Sequence, residues 1–190
     1  MNIMMPGEDV IEIESFLKSR NIENMLEIGS GGSTLHFSKY VKNYYSIEHD
    51  ESWLEDVERW VNKEKISNVK MILRQKNKIP EFDIAEPIIA ESWEELDHSS
   101  RSKEYKDYIQ APLDFGVLFD VVLVDGRARP ECFKFLCEND LINKPGTIFV
   151  HDYRALDHPL SRKHYNVIEG KYTPTWIKNN GSGLAYFEFR

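Results

Sequence analysis

Four short stretches gather the residues able to do chemistry: Glu27-Ile-Gly-Ser-Gly31, Ser46-Ile-Glu-His-Asp50, Val124-Asp-Gly-Arg127 and Val150-His-Asp-Tyr153. In the first, glycines at 29 and 31 let the backbone approach a ligand closely and adopt angles other residues resist. A helix following such a turn directs its free amide groups at the ligand, which favours a nucleotide or a carboxylate. Gly29, Ser30, Gly31, Ser33 and Thr34 are therefore candidate cofactor contacts. Glu27 narrows the choice, because a carboxylate just before the turn repels a pyrophosphate and suits an ammonium. The dinucleotide fingerprint also wants a glycine at position 34, where Thr34 stands.

Glu48 closes the second stretch of strand-like residues, 21 positions after Glu27. An acid there can accept both ribose hydroxyls in a doubly wound fold. His49, Asp50 and Trp53 follow at the rim and can flank an adenine. A ligand with a ribose and an amino-acid cation fits these acids better than NAD does, and S-adenosylmethionine is such a ligand.

His151 and Asp152 come just after one β-branched run and Asp125 just after another, so all three project at the carboxyl edge of an open sheet, where ligands bind. An imidazole has an unperturbed pKa of about 6.5, suited to a general base at neutral pH. His151 is the candidate base, with Asp152 to orient it and Asp125 a further catalytic candidate at the same edge. Asp125 and Asp152 can alternatively hold Mg²⁺ or a similar hard cation, but two carboxylates are a thin ligand set and no metal ligand is assigned. Arg127 and Arg129 carry forks for a substrate phosphate or carboxylate, ion pairing within the loop being an equal alternative. Tyr153 is a third candidate substrate contact, and Arg162-Lys-His-Tyr-Asn166 offers a cationic and aromatic wall.

The elements that must position these residues alternate along the chain. A helix from Glu8 to about Arg20 has Val10, Ile13, Phe16 and Leu17 at helical spacing and is expected to pack beside the site as a lid. Met25–Ile28 reads as a buried strand, Ser33–Val41 as a helix and Tyr44–Glu48 as a second strand. A helix follows through Trp53, Val57, Trp60 and Val61. Val69–Leu73 is a third strand and Asp120–Val124 a fourth, its unbroken apolar run suited to burial on both faces. Pro130 suits the first turn of a helix. Lys144-Pro-Gly146 signals a turn, Thr147–Val150 a fifth strand, and Tyr165–Ile168 with Leu184–Phe189 a closing pair. The alternation predicts an α/β fold: a doubly wound, mostly parallel sheet with helices on both faces and one antiparallel edge. The segment 75–116, with Trp93, Tyr105 and Tyr108, breaks the pattern and is a candidate substrate lid.

The 190 residues suit one domain, 41% hydrophobic and 29% charged, as in soluble globular proteins. No apolar run reaches the roughly 20 residues a membrane helix needs, and no secretory signal is readable, so a cytoplasmic protein is expected. Cys132 and Cys137 read as packing residues. A net charge of −8 argues against coating nucleic acid. The one exception is a strip of seven basic residues from Arg59 to Lys78 with Glu64 as the only acid, read as a solvated face rather than a phosphate-facing one.

Leu26-Glu-Ile-Gly-Ser-Gly-Gly-Ser-Thr34, Ser46-Ile-Glu-His-Asp50, Val122-Leu-Val-Asp-Gly-Arg127 and Phe149-Val-His-Asp-Tyr153 resemble the successive motifs of class I methyltransferases over residues 25 to about 170. The resemblance is to the small O-methyltransferase branch, which acts on sugars and natural products. It implies a Rossmann-like fold, S-adenosylmethionine as cofactor, and Asp125 near the transferred methyl group. The expected activity is O-methylation of a small molecule, with a sugar or glycan the leading acceptor. An RNA-directed methyltransferase and a non-catalytic cofactor-binding module are the rival readings.

Overall fold

The computed structural model of the chain describes residues 1–78, 102–153, 171–178 and 183–190. Its strands form one sheet in the order β3-β2-β1-β4-β5-β7-β6. They are β1 (Asn24–Ile28), β2 (Asn43–Glu48), β3 (Val69–Leu73), β4 (Phe119–Val124), β5 (Ile142–Val150), β6 (Trp176–Lys178) and β7 (Leu184–Phe189). The first five are mutually parallel. β7 runs antiparallel to both β5 and β6, so the antiparallel edge expected from sequence has two strands. Its inner member is Leu184–Phe189, whereas Tyr165–Ile168 lies outside the described residues.

Side chains of a strand alternate between the two faces of its sheet, and this parity divides the core. Val121, Leu123 and Phe149 join Met25 and Tyr44 on one face, under Ile13 and Leu17 of α1 (Gly7–Lys18) and Phe37 of α2 (Gly32–Phe37). Val122, Val124, Ile148 and Val150 join Leu26 and Ile28 on the other. There they meet Tyr108 and Ile109 of α4 (Lys106–Gln110) and Phe133 and Leu136 of α5 (Arg129–Glu138). α3 (Glu51–Lys63) lays Val57 and Val61 on Leu35 of α2 and on β3. Its N-cap is Asp50, whose carboxylate accepts from the Trp53 amide at 3.0 Å.

Two sequence readings need correction. Lys144-Pro-Gly146 does not end an element but bulges within β5. Pairing with β4 moves from Phe119 opposite Ile142 to Val121 opposite Thr147, a step of two against a step of five, so three residues loop out of register. Gly146 permits this, since a Cβ there would lie 2.3 Å from the Asn143 carbonyl oxygen. Tyr105 and Tyr108, read as parts of a lid, are buried in the core, because their apolar rings complete the face covered by α5. Trp93 lies outside the described residues. Cys132 is buried and Cys137 half-buried, both as free thiols.

At the amino edge of the sheet, one Asp120 carboxylate oxygen accepts from the amides of Glu23 and Asn24 at 2.8 and 2.9 Å, and the other from the Asn143 side chain at 2.7 Å. It thus joins the starts of β1, β4 and β5. Asp120→Ala leaves two backbone donors without their acceptor, and we expect urea unfolding to show a loss of about 1–3 kcal/mol. Ligand binding at the opposite edge should be unchanged.

Candidate functional site

The sheet order reverses between β1 and β4, and an open α/β sheet presents its ligand crevice beyond the carboxyl ends of such a pair. The two strand ends meet there through glycine. Gly29 has φ +95°, and a Cβ on it would lie 2.5 Å from the Gly126 Cα. A Cβ on Gly126 would lie 2.0 Å from the Tyr108 hydroxyl and 2.9 Å from the Gly29 nitrogen. Beside this contact opens a cavity of about 440 Å³. It runs from His49, Asp50 and Trp53, along the glycine turn, to Asp125, Arg127, Arg129, His151 and Asp152. A larger cleft of about 610 Å³ at the amino edge, beside Asp120 and Lys144, contains none of the motif residues.

The acids of the first two motifs occupy different positions. Glu27 shares a face with Met25, which points it beneath the start of α2 and away from the cavity. It is fully buried and accepts from the hydroxyls of Ser33, Thr34 and Ser46, the last across the β1–β2 pairing. Burial raises its pKa to about 8, the Ser33 and Thr34 hydrogen bonds only partly opposing this. Glu48 borders the cavity with 3% of its surface exposed. One of its oxygens accepts from the Ser30 amide and hydroxyl at 3.0 and 3.1 Å, the other from the amides of His49 and Asp50 at 2.7 and 3.0 Å. Burial raises its pKa, but the donors of His49 and Asp50 outweigh that and hold it below the usual carboxylate range. The Trp53 indole donates to the Ser30 carbonyl at 2.7 Å and so braces the same turn.

At the other end, parity again decides. Val121, Leu123 and Phe149 face α1, and two residues further along each strand Asp125 and His151 emerge on that side. The buried stripe of α1 is Asp9, Ile13 and Leu17, spaced four apart, so Asp9 reaches the same place. His151 is 4% exposed. Its Nδ1 lies 2.8 Å from Asp125 Oδ1 and its Nε2 3.5 Å from Asp9 Oδ2. Burial pushes the imidazolium down, but Asp125, with Asp152 nearby, more than offsets it and raises the pKa above the ordinary 6.5. Arg129 reaches into the group from the start of α5, turned back by a left-handed Ala128 with φ 47°. It ion-pairs with Asp152 at 2.9 Å and Asp125 at 3.3 Å.

Among the nine cofactor candidates from sequence, Gly29, Ser30, Gly31, Ser33, Glu48, His49 and Asp125 line the cavity, while Glu27 and Thr34 lie behind it. His151 and Asp152 border it beside Asp125. The residue orienting His151 Nδ1 is Asp125; Asp152 stands 3.7 Å away and holds Arg129. Arg127 is exposed at the mouth, whereas Arg129 directs its donors at protein groups. Tyr153, read as a substrate contact, is 2% exposed and packs on Phe187, because its ring falls on the core side once the chain turns at Asp152. Arg162–Asn166 lies outside the described residues.

Sequence reasoning missed Asp9, which looks like any acid in a first helical turn. It also missed the wall formed by Ile3 and Met4. A usable signal for that wall was Gly32, third in a run, where a Cβ would lie 2.3 Å from the Asn2 carbonyl oxygen. Three of the seven residues of the basic strip pair with acids, Arg59 with Asp56, Arg74 with Asp114 and Lys76 with Glu104, while Lys63 and Lys70 lie over Trp60 and Phe115.

Donor atoms of Asp125, His151 and Asp152 lie within 4.8 Å of one another, a grouping that can hold a metal ion. The set does not fit one as it stands. Asp125 Oδ1 already accepts from His151 Nδ1, and Arg129 takes the Asp152 carboxylate. No helix among the described residues is long and apolar enough to cross a membrane.

No family model and no curated protein matches the sequence. Solved structures do match in fold. A candidate caffeoyl-CoA O-methyltransferase from Staphylococcus aureus superposes with a TM-score of 0.67 at 14% identity, over 99% of this chain and 86% of that one. A methyltransferase-like protein from Silicibacter pomeroyi gives 0.63 at 23% identity, over 100% and 88%. The O-methyltransferase TomG from Streptomyces achromogenes, involved in tomaymycin synthesis and solved with SAM, gives 0.63 at 16%, over 97% and 79%. The chain therefore has the Rossmann-like fold of these methyltransferase structures.

Glu27 generates a test of the turn. With its folded pKa raised to about 8 and its unfolded value near 4.3, the native state binds one more proton than the unfolded state between those limits. That contribution is complete below the unfolded pKa and is lost as pH rises through the folded one. Chemical denaturation should show wild-type stability falling relative to Glu27→Gln by up to about 1.4 kcal/mol per pH unit across the window. Parallel curves for the two proteins would mean that Glu27 stays ionised.

Proposed function

We propose that this chain transfers the methyl group of S-adenosylmethionine to a hydroxyl of a small-molecule acceptor. The observation that carries the reading is the lining of the cavity beside the glycine turn. Four carboxylates, Glu48, Asp50, Asp125 and Asp152, face it, against two guanidinium groups, Arg127 and Arg129, at one end. Such a surface suits a sulfonium and an ammonium and opposes a pyrophosphate. Glu48, held ionised by the donors of His49 and Asp50, is our candidate acceptor for the ribose hydroxyls, with His49, Asp50 and Trp53 beside the adenine. Glu27 supports the amino-acid end from beneath through Ser33 and Thr34.

Methyl transfer is an in-line displacement: the acceptor oxygen bonds to the methyl carbon as the carbon–sulfur bond breaks, and the hydroxyl proton must leave. The Asp125–His151 pair is the group that takes it. His151 borders the cavity beside Asp125 and takes the proton at Nε2, the nitrogen left free when its Nδ1–H donates to Asp125. Arg129 and Asp9 hold the pair in place. A sugar or glycan hydroxyl is the acceptor class we favour. Arg127, exposed at the mouth, suits an acceptor that also bears an acidic group.

Calorimetry should give one S-adenosylmethionine site, and Glu48→Ala should weaken it by about 1.5–3 kcal/mol through loss of charge-assisted hydrogen bonds. Tight NAD binding would overturn the cofactor assignment. Donor turnover with sugar, phenolic and RNA acceptors separates the acceptor classes, and no turnover with any acceptor would favour a binding module.

Turnover should rise with pH through the raised His151 pKa, above 6.5, and then level off, because the neutral imidazole is the active form. His151→Ala should lower the rate about 10²-fold to 10⁴-fold with cofactor affinity nearly unchanged. A pH-independent rate, or a fully active variant, would remove the pair from proton transfer.

A further inference from the structure

Three carboxylates, Asp9, Asp125 and Asp152, converge on one imidazole and one guanidinium at the carboxyl ends of β4 and β5. Such a gathering needs a cation, and the spacing of Asp125, His151 and Asp152 is one that a divalent ion can span. In this chain the place is filled by a side chain. Arg129 Nη1 donates to Asp152 Oδ2 at 2.9 Å and to the His151 carbonyl. Its Nη2 stands 3.3 Å from both the carbonyl oxygen and Oδ1 of Asp125, and its Nε donates to the Gly126 carbonyl at 3.0 Å. The guanidinium therefore binds the two carboxylates and the three backbone carbonyls that surround the reacting edge. Its charge is fixed, since arginine does not lose its proton in proteins.

We propose that Arg129 is the resident cation of this cluster, occupying the position a divalent ion would take and excluding it. Two features make the exclusion effective. The Asp152 and Asp125 oxygens that would ligate a metal already accept N–H donors, and His151 Nδ1 is engaged with Asp125. A divalent ion entering beside the guanidinium would meet like charge within a few ångströms, in a place only partly open to water. The loop geometry favours the arrangement too: left-handed Ala128 followed by Pro130 starts α5 with Arg129 as its first residue, aimed back across the strand ends. It follows that the chemistry at this edge uses no bound divalent ion, and that a metal site is latent in the side chains beneath Arg129.

The test uses Mn²⁺ alone, followed by electron paramagnetic resonance and calorimetry. The wild-type protein should bind no Mn²⁺ more tightly than about 1 mM. Arg129→Gln should acquire one site at least about 10-fold tighter, and adding Asp152→Asn should abolish it. Arg129→Lys, which keeps a charge near the cluster, should remain without one. Stoichiometric micromolar Mn²⁺ binding by the wild-type protein overturns the proposal, whether or not the variants fold. So does a folded Arg129→Gln that binds no better than wild type. Neither result touches the methyl-transfer reading, whose failure would appear as absent S-adenosylmethionine binding and would leave Arg129's role standing.

Discussion

The structure depends on one backbone contact, between Gly29 at the end of β1 and Gly126 just past the end of β4. Neither position has room for a methyl group, and each obstructs the other with main-chain atoms that no rotamer change can move. The contact closes the gap between the two central strands at the point where the sheet order reverses. Everything used at the site is measured from there. The glycine turn leads into α2 on one side, and Asp125 precedes Gly126 on the other. The Tyr108 hydroxyl rests against Gly126, so a residue far off in sequence sets how the loop after β4 lies.

From that fixed point, strand parity distributes the chemistry. Acids one strand apart in the motifs have opposite fates. Glu27, in mid-register opposite Ser46, is drawn under the sheet's helical cover and meets only hydroxyls. Glu48, at the last position of its strand, borders the cavity though almost wholly buried and collects the donors of His49 and Asp50 that keep it charged. Asp125 and His151, each a continuation of a buried row, come out under α1, where His151 meets Asp9 from its buried stripe. The cluster is the place where three apolar rows end and their next members are polar. Arg129 then supplies the charge that such an ending requires.

The five parallel strands and Leu184–Phe189 were legible because continuous β-branched runs and glycine turns are local signals, whereas the edge strand Trp176–Lys178 was not read. Val69–Leu73 has the expected bounds, and Asp120–Val124 differs by one residue. What was not legible depends on partners far away in sequence. The Lys144-Pro-Gly signal is local, but β4 pairs with β5 on both sides of it, at Ile142 and again from Thr147, which makes it a bulge rather than a turn. Tyr105, Tyr108 and Ile109 do stand at helical spacing, but over an element of only five residues, too short a run for a periodicity to be read. Asp9 carries no sign of its role, since an acid opening a helix needs no other reason. The motif residues around the cavity were identified by type and spacing; the direction each side chain takes came only with the sheet.

The seating of Asn2 and Ile3 over Gly32 bears on how the protein can be handled. This stretch crosses the start of α2 and forms, with Met4, part of the cavity wall. Any polypeptide fused ahead of Met1 therefore emerges beside the ligand entrance. Arg190 sits across the molecule, at the amino edge near Asp120 and Gly146, where β7 finishes its pairing. An affinity handle or a fluorescent reporter joined at Arg190 leaves the mouth of the cavity clear, whereas one joined at Met1 sits beside it.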